Sequence, residues 1–136
     1  MSIYLLDTNI CVHLLKDEYK VKEKIAEVGS ESCFLSEITI AELLFGIENS
    51  APQQRDMNRA RFNWLENLFW KRIISVGGAL HEFGKQKAIL RRLGRPVGDF
   101  DILIGATAIV YNLTLVTHNT RDFKNLSDLD LFDWIE

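Results

Sequence analysis

Residues 4–10, YLLDTNI, decide the fold, because here the apolar run Ile3–Leu6 ends abruptly in Asp7. An apolar run of this length without polar alternation is typical of a strand buried on both faces in a parallel sheet. A carboxylate at the end of such a strand either caps the following helix or belongs to a functional site. The rest of the chain has to decide between these two roles.

The composition is that of one soluble domain. With 136 residues, 47% hydrophobic and 26% charged, the chain can bury a core, and we expect a single domain over residues 1–136. No stretch approaches the roughly 18 apolar residues of a membrane span, and the N-terminus lacks a signal pattern, so we expect a cytoplasmic protein with no membrane partner. Cys11 and Cys33 have no metal-ligand spacing and the histidines are scattered, which speaks against zinc.

The net charge of −3 hides a separation of charge along the chain. Residues 1–54 and 96–136 are acidic on balance, whereas residues 55–95 carry ten basic and three acidic side chains. An acidic pole beside a basic segment suits a protein that holds a cation and, next to it, a polyanion. Ordinary solvated helix faces would give the same counts, so charge alone leaves both interpretations open.

Predicted strands alternate with predicted helices along the chain. The strands are expected at residues 3–6, 33–35, 73–76, 113–116 and, at the sheet edge, 129–134. The helices are expected at residues 8–15, 20–28, from 36 or 39 to 48, 53–70, 79–93 and 101–111. This alternation predicts an α/β fold with a mostly parallel central sheet of four to five strands.

Four carboxylates fall where the strands of such a sheet end or where the next helices begin. Open α/β sheets place their sites at the carboxyl edge of the strands, where helix N-termini also point. If the sheet is parallel, this edge receives Asp7, Glu42, Asp101 and Asp122.

Each carboxylate also has a purely structural interpretation. Asp7 could cap the first helix, and Thr39-Ile40-Ala41-Glu42 matches a capping box. Asp101 could be a helix cap, and Asp99 two residues earlier could share that work. The fourth acid could be a solvated turn residue.

Several carboxylates in one cleft repel each other, which raises their pKa values and costs stability. A divalent cation removes that cost, and ligands that are all oxygen favour Mg²⁺, with Mn²⁺ as a substitute, over zinc. Such an ion can supply a nucleophilic water against a phosphodiester, and helix N-termini favour a bound phosphate. The pattern therefore indicates metal-assisted phosphodiester hydrolysis.

Four segments in this order resemble the PIN-domain ribonuclease toxins of the VapC family, which belong to type II toxin–antitoxin pairs. They are LLDTNI at residues 5–10, SEITIAELLFG at 36–46, GRPVGDFDILIGATA at 94–108 and LVTHNTRDF at 115–123. The resemblance spans nearly the whole chain and implies a PIN-like three-layer α/β/α sandwich. Gly105 stands where such proteins more often have alanine, a difference not expected to affect the chemistry.

The resemblance also implies roles for the matching residues. The metal ligands would be Asp7, Glu42 and Asp101, and Asp122 would be a fourth, more peripheral catalytic acid. The supporting polar residues would be Thr8, Asn9, Thr117 and Asn119, with Asp99, frequently not acidic in the family, as a further supporting residue or a cap.

A VapC-like protein would be an Mg²⁺- or Mn²⁺-dependent endoribonuclease that cuts structured RNA, such as loops of transfer or ribosomal RNA, and so inhibits translation and growth. The basic side chains Lys87, Arg91 and Arg95 lie at i, i+4 and i+8, so we expect one helical stripe that tracks the RNA backbone. A solvated helix face remains the alternative.

The family also implies protein partners. The helices between residues 48 and 70 would form a groove for the C-terminal segment of a VapB-type antitoxin, which neutralises the toxin. Core packing accounts equally well for part of the two apolar stripes on helix 53–70. Proteins of this family commonly form homodimers, so the resemblance also implies a homodimer.

Three other functions compete with this interpretation. A haloacid-dehalogenase-like phosphatase would need an acid at position 9, which is Asn9, and a later lysine, for which Lys124 is the only candidate. A non-enzymatic interaction module would use its acids only as caps and should not respond to Mn²⁺. A PIN nuclease outside toxin–antitoxin systems is the third.

Overall fold

The strand predicted from the opening residues lies at the centre of a five-stranded sheet. The computed structural model describes residues 2–135. The strands are β1 (Tyr4–Leu6), β2 (Cys33–Ser36), β3 (Ile73–Ile74), β4 (Thr114–Val116) and β5 (Leu131–Phe132). They lie in the order β3-β2-β1-β4-β5, and within the described residues every pairing is parallel. The prediction of a mostly parallel sheet of four to five strands is confirmed.

Helices cover both faces of the sheet and complete the three-layer α/β/α sandwich. They are α1 (Thr8–Leu15), α2 (Val21–Val28), α3 (Glu37–Glu48), α4 (Pro52–Leu68), α5 (Leu80–Leu93), α6 (Asp99–Val110) and α7 (Thr120–Phe123). Across residues 2–135, none of the helices combines the length and the apolar character that crossing a bilayer requires.

Alternate residues of the central strands point to opposite faces of the sheet and belong to two separate parts of the hydrophobic core. Leu6 and Val116 pack with α1 to α4, whereas Leu5 and Leu115 pack with α6 and α7 on the opposite face. All four side chains are fully buried, and burying one leucine or valine stabilises a fold by about 1.5–3 kcal/mol. A shift of one residue in β1 would exchange the two faces, so burial fixes the register that places Asp7 at the strand end.

Helix α3 begins at Glu37, directly after β2. The hydroxyl of Ser36 accepts a hydrogen bond from the Ile38 amide at 3.0 Å and is the N-cap. The predicted capping box of Thr39 and Glu42 is therefore wrong, because both residues lie inside the helix. The Glu42 side chain is consequently free to point towards the carboxyl edge of the sheet.

Helix α6 begins two residues earlier than predicted, at Asp99. Gly98 occupies the N-cap position without a side-chain hydrogen bond, so neither Asp99 nor Asp101 is the cap. Both acids lie in the first helical turn, where the helix dipole favours negative charge. The interpretation of Asp99 or Asp101 as the N-cap of α6 is therefore wrong.

Helix α5 ends at Leu93 because Gly94 adopts a left-handed conformation with φ of 66°. The Arg95 amide then donates to the Leu90 carbonyl at 2.9 Å, which closes the helix end. The expected stripe of three cations along one helix is thus wrong for Arg95, which lies on the following loop. Lys87 and Arg91 remain on α5.

Candidate active site

The polar residues that follow β1, β2 and β4 meet at the carboxyl edge of the sheet. Asp7 follows β1 directly, α3 follows β2 and carries Glu42, and Thr117 follows β4. Because the three strands are parallel neighbours, their carboxyl ends lie side by side.

Asp7 is the most enclosed of the four acids, with only 4% of its surface exposed. Its Oδ1 accepts a hydrogen bond from the Thr8 amide, and its Oδ2 accepts one from the Thr117 hydroxyl, both at 2.8 Å. The side-chain amide of Asn9 donates to the same Oδ2 at 3.4 Å. Asp7 therefore caps α1 with one oxygen and binds Thr117, which follows β4, with the other.

Glu42 is joined to the first helix by Thr8. The Thr8 hydroxyl donates to Glu42 Oε1 at 2.6 Å and lies 3.0 Å from the Thr39 hydroxyl. Thr39 is fully buried, whereas the sequence predicts for it only a position at the start of a helix. Its spacing of three residues from Glu42 was the available signal, because residues three apart lie on the same face of a helix.

Thr117 connects the remaining supporting residues. Its buried hydroxyl oxygen accepts from the Asn9 side-chain amide at 3.1 Å and from the Asn119 backbone amide at 3.0 Å. The Asn119 side chain in turn donates to Asp122 Oδ2 at 2.6 Å. The structure thus brings Thr8, Asn9, Thr117 and Asn119 into one network that touches three of the four acids.

The electrostatics link all four acids. Burial raises the pKa of Asp7 to about 6; the hydrogen bonds from Thr117 and Thr8 oppose the shift, and the Asp101 and Glu42 carboxylates add to it. Burial also raises the pKa of Asp101, with further contributions from Glu42 and Asp122. Like charges that perturb one another in this way share one cleft.

The donor set fits a hard divalent cation by its chemistry. The four acids and the surrounding hydroxyl and amide groups offer oxygen ligands, and a cation would offset the cost of charging the buried Asp7. Within residues 2–135, however, no three acidic, histidine or cysteine side chains stand close enough to surround one ion in this conformation. The acids are near enough to repel each other, but in this conformation they do not form a complete coordination sphere.

Asp99 lies apart from this network. Its Oδ1 forms an ion pair with Lys87 Nζ at 2.9 Å, and its side chain is 57% exposed. Lys87, Arg91, Arg95 and Asp99 line a surface pocket of about 320 Å³ in front of the first turn of α6. The three predicted RNA-binding cations are therefore together, although they do not follow one helix.

An apolar cleft of about 240 Å³ opens between α1, α3 and α4. Val12, Leu43 and Phe62 line it, and Thr8 and Glu42 are also part of its wall, so the cleft adjoins the acidic site. On α4, Phe62 and Leu65 are buried, whereas Met57 and Trp64 are 47% and 42% exposed. The two apolar stripes predicted for this helix thus differ: Phe62, Leu65 and Phe69 are buried in the core, whereas the stripe of Met57, Ala60, Trp64 and Leu68 is largely exposed.

The chain matches known proteins over almost its whole length. A family model described as PIN domain matches residues 4–129. The chain is 34% identical to the tRNA(fMet)-specific endonuclease VapC of Shigella flexneri, with 98% of this chain and 99% of that protein covered. It is 32% identical to ribonuclease VapC1 of Haemophilus influenzae strain R2866, with 97% and 98% covered.

Solved structures show the same architecture. DNA-bound VapBC of Salmonella typhimurium matches with a TM-score of 0.88 and 28% identity, covering 98% of this chain and 99% of that one. VapBC2 of Rickettsia felis, bound to a DNA fragment from its promoter, matches with a TM-score of 0.83 and 30% identity, covering 97% and 98%. With the parallel sheet and the acids at its carboxyl edge, these matches show that the chain belongs to the VapC family of PIN-domain proteins.

Proposed function

We propose that this chain is a metal-dependent endoribonuclease that acts as the toxin of a toxin–antitoxin pair. The observation that carries the proposal is the convergence of Asp7, Glu42, Asp101 and Asp122 at one edge of the sheet, where each of Asp7 and Asp101 is affected by two other acids. The endonuclease and ribonuclease names of the VapC relatives support the same activity.

Asp7, Glu42 and Asp101 would hold the ion, which we propose to be Mg²⁺ with Mn²⁺ as a substitute. A bound ion of this kind lowers the pKa of a water molecule and neutralises charge on the scissile phosphate. Thr117 and the Thr8 amide fix the two oxygens of Asp7, while the Thr8 hydroxyl orients Glu42.

Asp122 would act as the fourth acid, oriented by Asn119. The reaction would leave 5′-phosphate and 3′-hydroxyl ends. The 2′-hydroxyl does not attack in this scheme, so the preference for RNA has to come from shape and loop recognition.

The basic pocket would bind the RNA backbone beside the acidic site. Lys87, Arg91 and Arg95 lie together in front of α6, whose first turn carries Asp101. A phosphate entering this pocket would compete with Asp99 for Lys87. We propose structured RNA, in loops of transfer or ribosomal RNA, as the substrate, and inhibition of translation and growth in the cytoplasm as the consequence.

The apolar cleft would receive a VapB-type antitoxin. Its wall includes both apolar side chains from α3 and α4 and the acid Glu42. An apolar anchor of the antitoxin seated there would therefore lie beside the ligands and obstruct the substrate. Two copies of the domain, each spanning residues 1–136, would form the toxin homodimer.

The test is cleavage of a pool of transfer and ribosomal RNA by the purified protein with Mn²⁺ and then with EDTA. Asp7→Asn and Asp101→Asn are compared with Asp130→Asn as a control. Asp130 is exposed and lies directly before β5, at the amino end of that strand and away from the carboxyl edge of the sheet. We expect metal-dependent cuts at discrete loops, lost in the first two variants and kept in the third. Cutting that persists in both site variants would contradict the site, and an uncut pool with folded wild type would contradict the substrate class.

A further inference from the structure

The acid Asp122 lies on a segment that is too short to be stable without contacts to other parts of the protein. Helix α7 has four residues, far fewer than an isolated helix needs to be stable. Within the described residues, the Asp122 carboxylate has one hydrogen-bond partner, Asn119, which belongs to the same short segment. The position of Asp122 relative to Asp101 must therefore be set by contacts that the surrounding residues make with other helices.

One such contact is made by Gln86, a fully buried polar residue of α5. Its Oε1 accepts from the Ser127 backbone amide at 3.0 Å, and one hydrogen of its Nε2 is shared between the Ser127 carbonyl at 3.2 Å and the Ser127 hydroxyl at 3.0 Å. The other hydrogen of Nε2 is donated to Glu82 Oε2 at 2.7 Å. The amide nitrogen therefore faces Glu82, and the amide oxygen faces the Ser127 backbone amide. Gln86 thus holds both backbone groups of a residue five positions after Asp122.

A second contact is made one residue earlier, at Leu126. A Cβ atom on Gly105 of α6 would lie 2.4 Å from the Leu126 Cδ2 atom, so the leucine methyl occupies the space that a larger residue would take. Leu126 is 5% exposed and packs with Leu90 and Ile102. Because Gly105 lies four residues after Asp101, the acid and this notch share one face of α6.

We infer that Gln86 and Gly105 are positioning residues, which for Gly105 departs from the expectation, drawn from the sequence, that glycine at this position does not affect the chemistry. Together they hold the segment of residues 119–129 against α5 and α6, so that the carboxylate of Asp122 faces that of Asp101. Neither touches the reacting groups; they act through Ser127 and Leu126. The consequence for metal binding rests on the proposed function, whereas the effect on the segment itself does not.

Hydrogen exchange of the metal-free protein tests the effect on the segment. We expect the backbone amides of residues 120–127 to exchange about tenfold faster or more in Gln86→Leu, while those of the central strands keep their rates. Gln53→Leu, at an exposed glutamine of α4, is the matched control. Unchanged exchange over residues 120–127 in Gln86→Leu would overturn the inference.

The glycine is tested separately, which keeps the inference falsifiable if Gln86→Leu does not fold. Gly105→Ala should accelerate the same amides by displacing Leu126. Gly84→Ala is the matched control, because a Cβ atom there meets nothing within 4 Å. Equal exchange in the two alanine variants would contradict the role of the notch.

Calorimetric titration with Mn²⁺ separates positioning from a general loss of stability. Gln86→Leu should weaken Mn²⁺ binding by about tenfold, because it displaces Asp122, an acid beside the proposed ligand Asp101 whose negative charge favours the cation. It should cause no further loss in an Asp122→Asn background, because the acid that it positions is already gone. An equal loss in both backgrounds would refute positioning. If wild type binds no Mn²⁺, the proposed function fails, while hydrogen exchange still decides whether Gln86 and Gly105 hold the segment.

Discussion

The two sides of the acidic site are built differently. We define the bonded wall as Asp7 with Thr8, Asn9 and Thr117, and the acidic wall as Asp101 with Asp122. In the bonded wall, both carboxylate oxygens of Asp7 accept hydrogen bonds from neutral donors. In the acidic wall, no donor among residues 2–135 reaches the Asp101 carboxylate, and Asp122 accepts only from Asn119.

The difference shows how far hydrogen bonds compensate for burial. In the bonded wall they oppose the rise in the pKa of Asp7, yet burial outweighs them and the pKa remains about 6. The acidic wall is less enclosed, and among residues 2–135 its one hydrogen-bond donor is the Asn119 side chain, which binds Asp122. The bonded wall is thus held in orientation before any ion binds, whereas the acidic wall offers the Asp101 carboxylate, which a cation can engage without breaking a protein hydrogen bond.

The largest expected effect is on cleavage. Asp7→Asn and Asp101→Asn should each lower kcat/KM for RNA by about a thousandfold, because each would remove a ligand of the ion that stabilises the transition state. Single-turnover cleavage with saturating Mn²⁺ measures this. A loss confined to Asp7→Asn would show that only the bonded wall takes part in the reaction.

The next effect is on the dependence of stability on pH, and it is expected to be largest for Asp7 in the bonded wall. Asp7 has a pKa of about 6 in the folded protein and 3.8 in the reference state. Between these values the folded state keeps a proton that the unfolded state has released, so stability falls as pH rises through this window, by about 3 kcal/mol, and then levels off. Mn²⁺ should reverse the loss near pH 7, because it binds the charged form.

Urea unfolding in EDTA from about pH 3.5 to 7.5 measures this dependence. Asp7→Asn should flatten the profile relative to wild type, whereas Asp130→Asn should leave it nearly unchanged. A profile of Asp7→Asn that runs parallel to that of wild type would show that the fall in stability has another source.

A smaller effect is expected from the cations beside the acidic wall. The double variant Arg91→Ala and Arg95→Ala should weaken RNA binding by about tenfold and make the remaining affinity less sensitive to salt, because fewer phosphates are neutralised. Lys24→Ala on α2 is the control. Binding titrations at several KCl concentrations measure both quantities, and an unchanged salt dependence would remove these residues from the RNA surface.

The smallest effect tests the support of the bonded wall. Thr39→Val keeps the shape of the buried side chain but removes the hydroxyl that lies against Thr8, at a cost of about 1 kcal/mol. We expect a decrease of severalfold in kcat with little change in KM. An unchanged kcat would mean that the Thr8 hydroxyl orients Glu42 without help from Thr39.

The local pattern of apolar and polar residues sufficed to predict the strands and to show which acids lie close to the ends of strands or the starts of helices. The run before Asp7 shows its strand through unbroken apolar character, and α6 shows its burial by being apolar almost all round. These features depend on neighbours in sequence, which is why they could be predicted. The roles of the acids, by contrast, stay predictions, because they depend on chemistry between side chains of separate elements and not on local pattern.

The sequence by itself determined a parallel α/β fold with its acids at a strand end or on the helices that follow, together with the resemblance to VapC proteins. Only the tertiary structure decided that Thr8 binds Glu42, that Asp99 pairs with Lys87, and that Gln86 holds Ser127. Two of these contacts join residues 34 and 41 positions apart. Periodicity describes only which face of a helix or strand is buried; the partner across that face is chosen by how separate elements pack.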